Sequence, residues 1–489
     1  MLDFEPKNVF RYFEAISAIP RPSGHEEKIA DYVEQFAKER GLCCYRDEVN
    51  NVFVKKPATP GCEGAPAVML QGHMDMVPEK DADSDHDFLT DGLKLSVTDG
   101  WIHADHTTLG GDDGAAVAIM LALLDSAPDP HPALECLFTV SEETGLTGAW
   151  GFDPDAAGMM AGTMINLDSE EEGFVTAGCA GGVRTDIRVP VTEVPMTGTA
   201  VRVALNGFTG GHSGIQINEG HANAIKMLAR LLTAVREQYD FTLISACGGG
   251  KDNAIPRAAE AVVSLHGADV DAFRAAVLAE ADELRREPST ISADRTFTCT
   301  VTEQDAPAGE LDADSTARVL SILNLVRSGV IEMSAFVPGL VAFSRNLGIL
   351  STERTEDGTA VVLSFSSRSA SDHHLDAAQR ELELLAKAHG AKAAHHARYP
   401  GWDYAPESVL RDVWNRESER LFGVTPQVVV IHAGLECGIL CHKRPGLDII
   451  SVGPDMKDIH TPREMLSIES TKRTYELVCA TLAALTKSK

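Results

Sequence analysis

The stretch AVMLQGHMD, residues 67–75, joins an apolar strand to a histidine and an aspartate. Its unbroken apolar run predicts a short buried strand over residues 67–72. In open α/β sheets, ligands collect where loops follow the carboxyl ends of the strands. His73 can therefore face such a site, while Asp75 accepts a hydrogen bond from its second ring nitrogen and orients the ring. Taken alone, the pair is more typical of a surface turn.

A glycine-rich turn supplies the next candidate. TTLGGDDG, residues 107–114, leads directly into an apolar helix that we predict over Gly114–Leu124. Glycines let the backbone fold closely around a ligand, and the Asp112 carboxylate has two oxygens that can bridge two cations. Capping of the following helix by Asp112 is an equally good interpretation of this segment alone.

A second predicted strand, Leu134–Val140, runs straight into two adjacent glutamates. Neighbouring side chains at a strand end point in different directions, so the two acids can do different work. One of Glu142 and Glu143 can ligate a metal, while the other accepts a proton from a water molecule.

Two more apolar strands end at a candidate ligand. Met164–Leu167 is followed at once by Asp168, whereas the acids of residues 170–172 are expected to form a solvated turn. Near the end of the sequence, Leu447–Val452 is followed by the loop that carries His460. Candidate metal ligands therefore follow predicted strands in both the first third and the last part of the sequence.

Together these segments form a set of metal ligands, although no single member is convincing. Imidazole and carboxylate donors suit Zn²⁺ or Mn²⁺, and Co²⁺ would be accepted. Two histidines, two terminal carboxylates and one bridging carboxylate fit a pair of metals about 3.5–4 Å apart. The predicted ligands are His73, Asp112, Glu143, Asp168 and His460.

The order of strands and helices predicts an α/β fold in two parts. The first third alternates the two, with Ser23 and Glu26 predicted to form a capping box for an amphipathic helix. The middle resembles an α+β domain, and the early pattern returns near Tyr404. We therefore predict a discontinuous catalytic domain, residues 1–186 and 402–489, with a mixed sheet flanked by helices. Residues 187–401 form an inserted α+β domain.

The net charge, the lengths of the apolar runs and the cysteine content limit the possible partners and the cellular compartment. With 43 basic and 72 acidic residues among 489, the formal charge of −29 argues against nucleic acid and anionic membranes as partners. No apolar run approaches the roughly 18 residues of a membrane span, and no export signal is recognisable. Ten cysteines without regular spacing are typical of reduced thiols. We expect a cytoplasmic protein.

The motifs as a set resemble the cytosolic aminoacyl-histidine dipeptidases (Xaa-His dipeptidase, carnosinase-like), within the zinc aminoacylase/carboxypeptidase superfamily. The matching stretches, in the family's order, are IPRPSGHEE, LQGHMDMVPEK, TTLGGDDG, SEETGLTGA, LDSEEEG, CAGG, GGHSG, NAIPR, IHAGLECG and HTPRE. The resemblance implies two divalent metals per chain, with Zn²⁺ favoured, and a homodimer. It also implies that the inserted domain, residues 187–401, is a lid and dimerisation domain.

The resemblance also implies roles for the residues at the metals. Asp112 bridges the two ions; His73 and Asp168 complete one site. Glu143 and His460 complete the other. Asp75 steadies His73, and Glu142 is the general base. Asp113 stands where related sequences often carry asparagine, and it is not a predicted ligand.

Five residues outside the ligand set are candidates for contact with the substrate. His212, in GGHSG, matches a histidine that stabilises the oxyanion, in related dimers from the partner subunit; a structural histidine is the alternative. Asn253 and Arg257 match a lid segment. Arg368 is a candidate clamp for the terminal carboxylate of the substrate, or else an edge-strand arginine in a surface ion pair. His432 lies in a loop that corresponds to a substrate-binding loop.

The resulting functional prediction is hydrolysis of unblocked dipeptides, Xaa-His and more broadly Xaa-Xaa. The nucleophile is a water activated by two metals, with Glu142 as general base. An N-acyl-amino-acid amidohydrolase on the same scaffold is the alternative. A catalytically silent binding homologue is a third possibility, against which the intact set of candidate ligands argues.

Overall fold

The computed structural model describes residues 2–287, 289–305, 307–335, 337, 339–356 and 358–487. The chain divides into two compact units. Unit 1 comprises Met1–Cys179, Trp402–Val430 and Leu435–Lys489. Unit 2 comprises Ala180–Gly401 together with the short segment Ile431–Gly434.

The described residues form eleven α-helices, one of which extends the predicted segment Gly114–Leu124 by three residues at its start and two at its end. They are α1 (Lys7–Ser17), α2 (Glu27–Glu39), α3 (Gly111–Ser126), α4 (Thr147–Gly151), α5 (Ala224–Arg236), α6 (Val270–Arg286), α7 (Ala313–Leu325), α8 (Asp372–Ala388), α9 (Val409–Phe422), α10 (Glu436–Lys443) and α11 (Ile468–Leu485). No helix among the described residues is long and apolar enough to cross a bilayer.

The strands of the first part of the chain are β1 (Cys43–Arg46), β2 (Val52–Lys56), β3 (Val68–His73), β4 (Leu95–Thr98), β5 (Trp101–Ala104), β6 (Leu134–Thr139), β7 (Thr163–Asn166) and β8 (Phe174–Cys179). Those of the middle are β9 (Gly181–Val191), β10 (Glu193–Pro195), β11 (Thr199–Asn206), β12 (Gly211–His212), β13 (Phe241–Gly248), β14 (Ala254–Ile255), β15 (Ala258–Leu265), β16 (Thr298–Glu303), β17 (Gly309–Leu311), β18 (Gly329–Met333), β19 (Val341–Thr355), β20 (Gly358–Ser369) and β21 (Lys392–Tyr399). The last part contributes β22 (Gln427–Ile431), β23 (Asp448–Ser451), β24 (Met456–Lys457) and β25 (Met465–Ser467).

Unit 1 is built on a mixed sheet. Its strand order among the described residues is β1-β2-β6-β3-β7-β23-β8-β22. In its centre β3 runs parallel to both β6 and β7, and β23 runs parallel to β7. The flanking pairs β1–β2, β2–β6 and β8–β23 are antiparallel. A smaller sheet of order β24-β25-β5-β4 lies in the same unit.

Helix α3 fills the core of unit 1. Every residue from Gly111 to Leu124 is buried. After the two aspartates the helix is apolar on all sides and not on one face only, as is typical of a helix surrounded by the core. It packs against α1 and against β3. The backbone of Asp112 and Asp113 is not helical, so the regular helix starts after the two aspartates. This arrangement leaves the two aspartates at the helix start, beside the end of β3.

Unit 2 is an antiparallel sheet with helices. Its order among the described residues is β16-β11-β15-β13-β19-β20-β9-β21, with β18 beside β19. Neighbouring strands pair antiparallel along this path. Apolar side chains of α5, α6, α7 and α8 join those of the strands in one core. Separated strands and helices around an antiparallel sheet are the α+β pattern.

The predicted capping box at the start of α2 is wrong. The helix begins at Glu27, and no side chain caps it. The Ser23 hydroxyl instead donates to Asp75 Oδ2 at 2.8 Å. Glu26 Oε1 accepts hydrogen bonds from the backbone and hydroxyl of Ser141, at 2.9 and 2.7 Å. Both side chains are engaged by distant parts of unit 1, so neither forms the predicted cap.

Candidate active site

The candidate site of unit 1 lies at the carboxyl ends of its parallel strands. His73 is the last residue of β3 and stands opposite Thr139, the last residue of β6. Glu142 and Glu143 follow β6, and Asp168 follows β7. Since these strands run parallel and side by side, the residues that follow them meet at one edge of the sheet.

The Asp112 carboxylate lies between two imidazoles. Its Oδ1 is 2.9 Å from His73 Nε2, and its Oδ2 is 3.1 Å from His460 Nε2. One oxygen therefore faces each histidine, which is the geometry that a bridging carboxylate requires.

Each histidine has a further carboxylate beside it. Asp168 Oδ1 is 3.5 Å from His73 Nε2, and Glu143 Oε1 is 2.8 Å from His460 Nε2. The five residues predicted as ligands thus come together as two groups that share Asp112. The donor atoms of Asp112, Glu143 and His460 all lie within 4.8 Å of one another, as a shared cation would need.

Asp113, which was not a predicted ligand, also lies close to His73 and Asp168. Its Oδ2 accepts the backbone N–H of His73 at 3.2 Å, while its Oδ1 has no hydrogen-bond partner among the described residues. Burial, followed by the charge of Asp168, raises the pKa of Asp113 well above its ordinary value. The contact to the backbone ties the start of α3 to the end of β3.

The carboxylates of the site create a negative electrostatic environment that favours bound cations. Hydrogen bonds to Asp112 and Glu143 raise the pKa of His460 to about 11. Burial would lower the pKa of His73, but Asp168 and the neighbouring carboxylates raise it well above its ordinary value. Burial raises the pKa of Asp168 to about 7. The donor set of imidazoles and carboxylates fits Zn²⁺, Mn²⁺ or Co²⁺, and such ions would balance these charges.

Asp75 orients His73. The Nδ1 atom of His73 is 3.3 Å from Asp75 Oδ1 and 3.1 Å from the Asp75 carbonyl oxygen, so Nε2 points towards Asp112. The same carboxylate accepts the backbone N–H of Glu142 at 3.1 Å and the hydroxyl of Ser23. Asp75 therefore links the ring of His73 to the turn that carries the paired glutamates.

The carboxyl group of Glu142 has no hydrogen-bond partner among the described residues of unit 1. One of its oxygens lies within 4.8 Å of a His73 nitrogen and a Glu143 oxygen. Burial, and after it the charge of Asp168, raises the pKa of Glu142 well above its ordinary value. An uncommitted carboxyl group with a raised pKa is what a general base near neutral pH requires.

Glu464 holds the turn that carries Asp112, and the sequence interpretation missed it. Its Oε2 accepts the backbone N–H groups of Leu109 and Gly110 at 2.8 and 3.0 Å. Its Oε1 accepts those of Gly111 and Asp112 at 2.8 and 3.3 Å. The only signal was its position at the end of the HTPRE motif.

Two further buried charges of unit 1 were missed. Arg21, in IPRPSGHEE, donates to the carbonyl oxygens of Met74 and Gly110 at 2.9 and 2.5 Å. Glu436, in IHAGLECG, accepts from Gln71 Nε2 and Thr139 Oγ1, both at 2.6 Å. Burial raises the pKa of Glu436 to about 7. Both lie in motifs, but neither motif says which partner its charged residue contacts.

In unit 2, His212 and His432 come together. A Cβ added at Gly214 would lie 2.6 Å from His432 O and 2.9 Å from His212 Cε1, so the GGHSG loop packs on the backbone of His432. His432 Nε2 is 2.7 Å from Ser344 Oγ. Burial, and then the charge of Arg368, lowers the pKa of His432 to about 4 and also lowers that of His212.

Arg368 is not an edge-strand arginine in an ion pair, and that alternative is wrong. Its strand β20 lies between β19 and β9, and the residue is 8% exposed. Among the described residues of unit 2, no carboxylate lies within salt-bridge distance of its guanidinium. A buried cation without a counter-ion is costly unless a ligand supplies the anion.

Asn253 and Arg257 flank the strand that pairs with the His212 loop. In that pairing Gly211 stands opposite Ile255 and His212 opposite Ala254. The carbonyl oxygen of Asn253 accepts the backbone N–H of Ser213 at 2.9 Å. The Arg257 side chain donates to the Phe208 carbonyl oxygen at 3.3 Å. Both residues support the loop of His212; contact with substrate stays a prediction.

A mixed α/β unit with imidazoles and carboxylates gathered at its strand ends is typical of a metal-dependent hydrolase. A family model described as a peptidase dimerisation domain matches residues 203–288. The chain is 36% identical over 475 residues to the cytosol non-specific dipeptidase of Escherichia coli (strain K12), across 97% of this chain and 96% of that protein.

Solved structures agree. Aminoacylhistidine dipeptidase from Vibrio alginolyticus is 34% identical and superimposes with a TM-score of 0.91, over 99% of this chain and 97% of that one. Aminopeptidase PepT from Bacillus cereus shares the fold, at 17% identity and a TM-score of 0.56, over 99% of this chain and 100% of that one. The chain belongs to the M20 family of metallopeptidases, in the branch of the aminoacyl-histidine dipeptidases. The predicted family, fold class and enzyme class are confirmed.

Proposed function

We propose that this chain is a cytoplasmic, homodimeric dipeptidase that cleaves unblocked dipeptides, Xaa-His and more broadly Xaa-Xaa, with two divalent cations per chain. Zn²⁺ is the favoured ion, with Co²⁺ or Mn²⁺ as alternatives. Residues 1–186 and 402–489 would carry catalysis, and residues 187–401 the lid and dimer contacts. The observation that carries the proposal is the Asp112 carboxylate with one imidazole at each oxygen.

The ligands of the two ions would be His73 and Asp168 on one side, Glu143 and His460 on the other, with Asp112 shared. Divalent ions held by these residues would supply a lowered pKa for a water molecule and polarisation of the scissile carbonyl group. Glu142 accepts the proton of the attacking water on its free carboxylate and passes it to the nitrogen of the leaving amine.

His212 would stabilise the oxyanion. Its Nδ1 accepts the backbone N–H groups of Gly214 and Ile215, both at 3.3 Å. The neutral ring therefore carries its proton on Nε2, which is free to donate a hydrogen bond. The lowered pKa of His212 keeps this neutral form at physiological pH. In a dimer, we propose that the ring serves the active site of the partner subunit.

The similarity to two dipeptidases favours dipeptides over N-acyl amino acids as the substrates. In unit 2, the guanidinium of Arg368, which has no counter-ion within salt-bridge distance among the described residues of that unit, is suited to a terminal carboxylate, which it can bind bidentately. Asn253, Arg257 and His432 would complete the substrate contacts.

The test combines metal analysis with a substrate panel. Purified protein is assayed for bound metals, then with Xaa-His and other dipeptides and with matched N-acetyl amino acids, before and after chelation. We expect about two ions per chain, turnover of the free dipeptides, loss of turnover on chelation and recovery with Zn²⁺, Co²⁺ or Mn²⁺. Turnover of the acylated compounds alone would overturn the proposal.

A complementation assay tests the action of His212 across a dimer. Neither His212→Ala nor Glu142→Gln should turn over dipeptides well alone. Co-expressed, they form mixed dimers in which one active site has both an intact Glu142 and an intact His212 from the partner chain. Recovered activity supports the proposal, and its absence in a sample shown to contain mixed dimers contradicts it.

A further inference from the structure

We propose that Tyr399 is a positioning residue for Arg368, holding the guanidinium in the orientation that receives the terminal carboxylate of the substrate, and that Gly182 and Gly434 leave space for its ring. The proposal rests on the function proposed above. It concerns a residue that none of the motifs contains.

The first observation is the contact itself. Arg368 Nη1 donates a hydrogen bond to the hydroxyl oxygen of Tyr399 at 2.8 Å. The Nε atom of the same guanidinium is buried without a partner among the described residues. A phenol fixes the direction of the guanidinium but does not neutralise its charge. An aspartate or glutamate in this place would form an ion pair and compete with the carboxylate of the substrate.

The second observation is the register of the sheet. On β9, Gly182 stands opposite Arg368 of β20 on one side and opposite Tyr399 of β21 on the other. Arg368, Gly182 and Tyr399 therefore form one row across three strands. With no side chain on the middle strand, the arginine reaches over Gly182 to the tyrosine.

The third observation concerns space. A Cβ added at Gly182 would lie 2.7 Å from Cε1, Cζ and the hydroxyl oxygen of Tyr399. A Cβ added at Gly434 would lie 2.9 Å from Cε2 of the same ring. Neither distance is possible for a real side chain without displacing the ring. The last glycine of CAGG and the glycine of HAG, both without an assigned role, thus leave space for Tyr399.

The charge of Arg368 also affects the pKa values of two neighbouring histidines. After burial, it is the other cause that lowers the pKa values of His212 and His432. A guanidinium that is fixed but not neutralised keeps the cluster positive and both rings neutral. This cluster suits an anionic group of the substrate.

The test replaces Tyr399 by Phe, which keeps the ring and removes only the hydroxyl. Kinetics are measured with a dipeptide and with its C-terminal amide, which lacks the carboxylate. We expect KM for the dipeptide to rise about 10-fold, the value of one hydrogen bond to a charged group, while kcat changes by less than about 2-fold. The amide should show no such loss, so the preference for the free acid falls by about the same factor.

Two further variants control for folding. Tyr239→Phe makes the same chemical change elsewhere in unit 2, where the hydroxyl donates to the Ala272 carbonyl oxygen, and should leave both substrates unaffected. Gly182→Ala displaces the ring of Tyr399 and should reproduce the selective loss on the dipeptide. Thermal melting of each variant shows whether the fold is intact.

Distinct outcomes separate this proposal from the proposed function. An equal loss on the dipeptide and the amide, or no loss on either, overturns the positioning role of Tyr399. Arg368→Gln serves as the reference for loss of the clamp. If Arg368→Gln selectively impairs the dipeptide and Tyr399→Phe does not, the clamp stands and only the positioning role fails. If Arg368→Gln shows no selectivity, both fail.

Discussion

The pKa values of two histidines, one in each unit, are shifted in opposite directions. In unit 1, hydrogen bonds to carboxylates raise the pKa of His460 to about 11. In unit 2, burial and the charge of Arg368 lower the pKa of His432 to about 4. The first cluster has an excess of negative groups, and the second contains a buried cation with no carboxylate within salt-bridge distance among the described residues of unit 2. In the proposed function, metal ions balance the charge of the first cluster, and the terminal carboxylate of a substrate balances the charge of the second.

The largest expected effect comes from the acidic cluster. Glu142→Gln removes the proton acceptor without changing its size, and we expect kcat to fall about 10²–10⁴-fold. Bound metal should be unchanged, because Glu142 is not in the proposed ligand set. Glu171→Gln, in an exposed position of the loop after β7, is the matched control and should have wild-type kinetics. Near wild-type turnover by Glu142→Gln would remove Glu142 as the base.

A smaller effect is expected from the support of the bridging aspartate. Glu464→Gln keeps one acceptor oxygen and converts the other into an N–H donor, so two of the four backbone N–H groups of the Asp112 turn lose their acceptor. Asp112 then loses its fixed position, and we expect metal affinity to fall about 10–100-fold, measured by competition with a chromophoric chelator. Glu469→Gln, at an exposed position in the first turn of α11, should bind metal normally. Unchanged affinity in Glu464→Gln would contradict a supporting role.

The basic cluster gives a pH dependence of stability. The pKa of His432 is about 4 in the folded protein and about 6.5 in an unfolded chain. The folded state therefore binds fewer protons in this window, and stability is lost as the pH falls from about 6.5 towards 4, by about 3 kcal/mol in total. His432→Gln lacks this titration, so its Tm should fall less steeply than that of wild type over the same range. Parallel Tm profiles would contradict the prediction.

The smallest effect tests the link between Ser23 and Asp75. Ser23→Ala removes one donor to Asp75, which keeps the backbone N–H of Glu142. One hydrogen bond of about 1 kcal/mol corresponds to a fall of about 5-fold in kcat/KM. Ser126→Ala, which removes a solvent-exposed hydrogen bond donated by Asn8, should have no effect. A loss as large as that of Glu142→Gln would mean that Ser23 does more than orient Asp75.

The sequence alone predicted the four apolar strands and the apolar helix that lie beside the candidate donors, and the structure brings those donors together. The reason is physical: His73 ends an apolar strand, Glu143 and Asp168 lie within four residues of one, and parallel strands bring their ends to one edge. His460 lies farther from its strand, in the loop that follows β23. Asp112 was found because glycines precede it and an apolar helix follows it. In these cases the signal lies within a few residues of the side chain concerned. Whether these residues act as assigned stays a prediction.

Side chains with distant partners could not be predicted. Glu464 binds a turn more than 350 residues earlier in the sequence, and nothing near it announces that turn. Ser23 and Glu26 match a local capping pattern, but partners elsewhere in unit 1 take both side chains. The acids after Asp168 were predicted to be solvated, yet Glu172 pairs with Arg473 through two contacts of 2.6 Å. Local patterns do not reveal which tertiary contact competes for a polar group.

The segment Ile431–Gly434 has a consequence for protein engineering. These four residues lie in the last part of the chain, but they belong to unit 2. They include His432, whose ring pairs with Ser344, and Gly434, which leaves space for the ring of Tyr399. A graft of Ala180–Gly401 from a relative would therefore arrive without these residues. A transplant that aims to exchange substrate preference must carry this four-residue segment with the inserted unit.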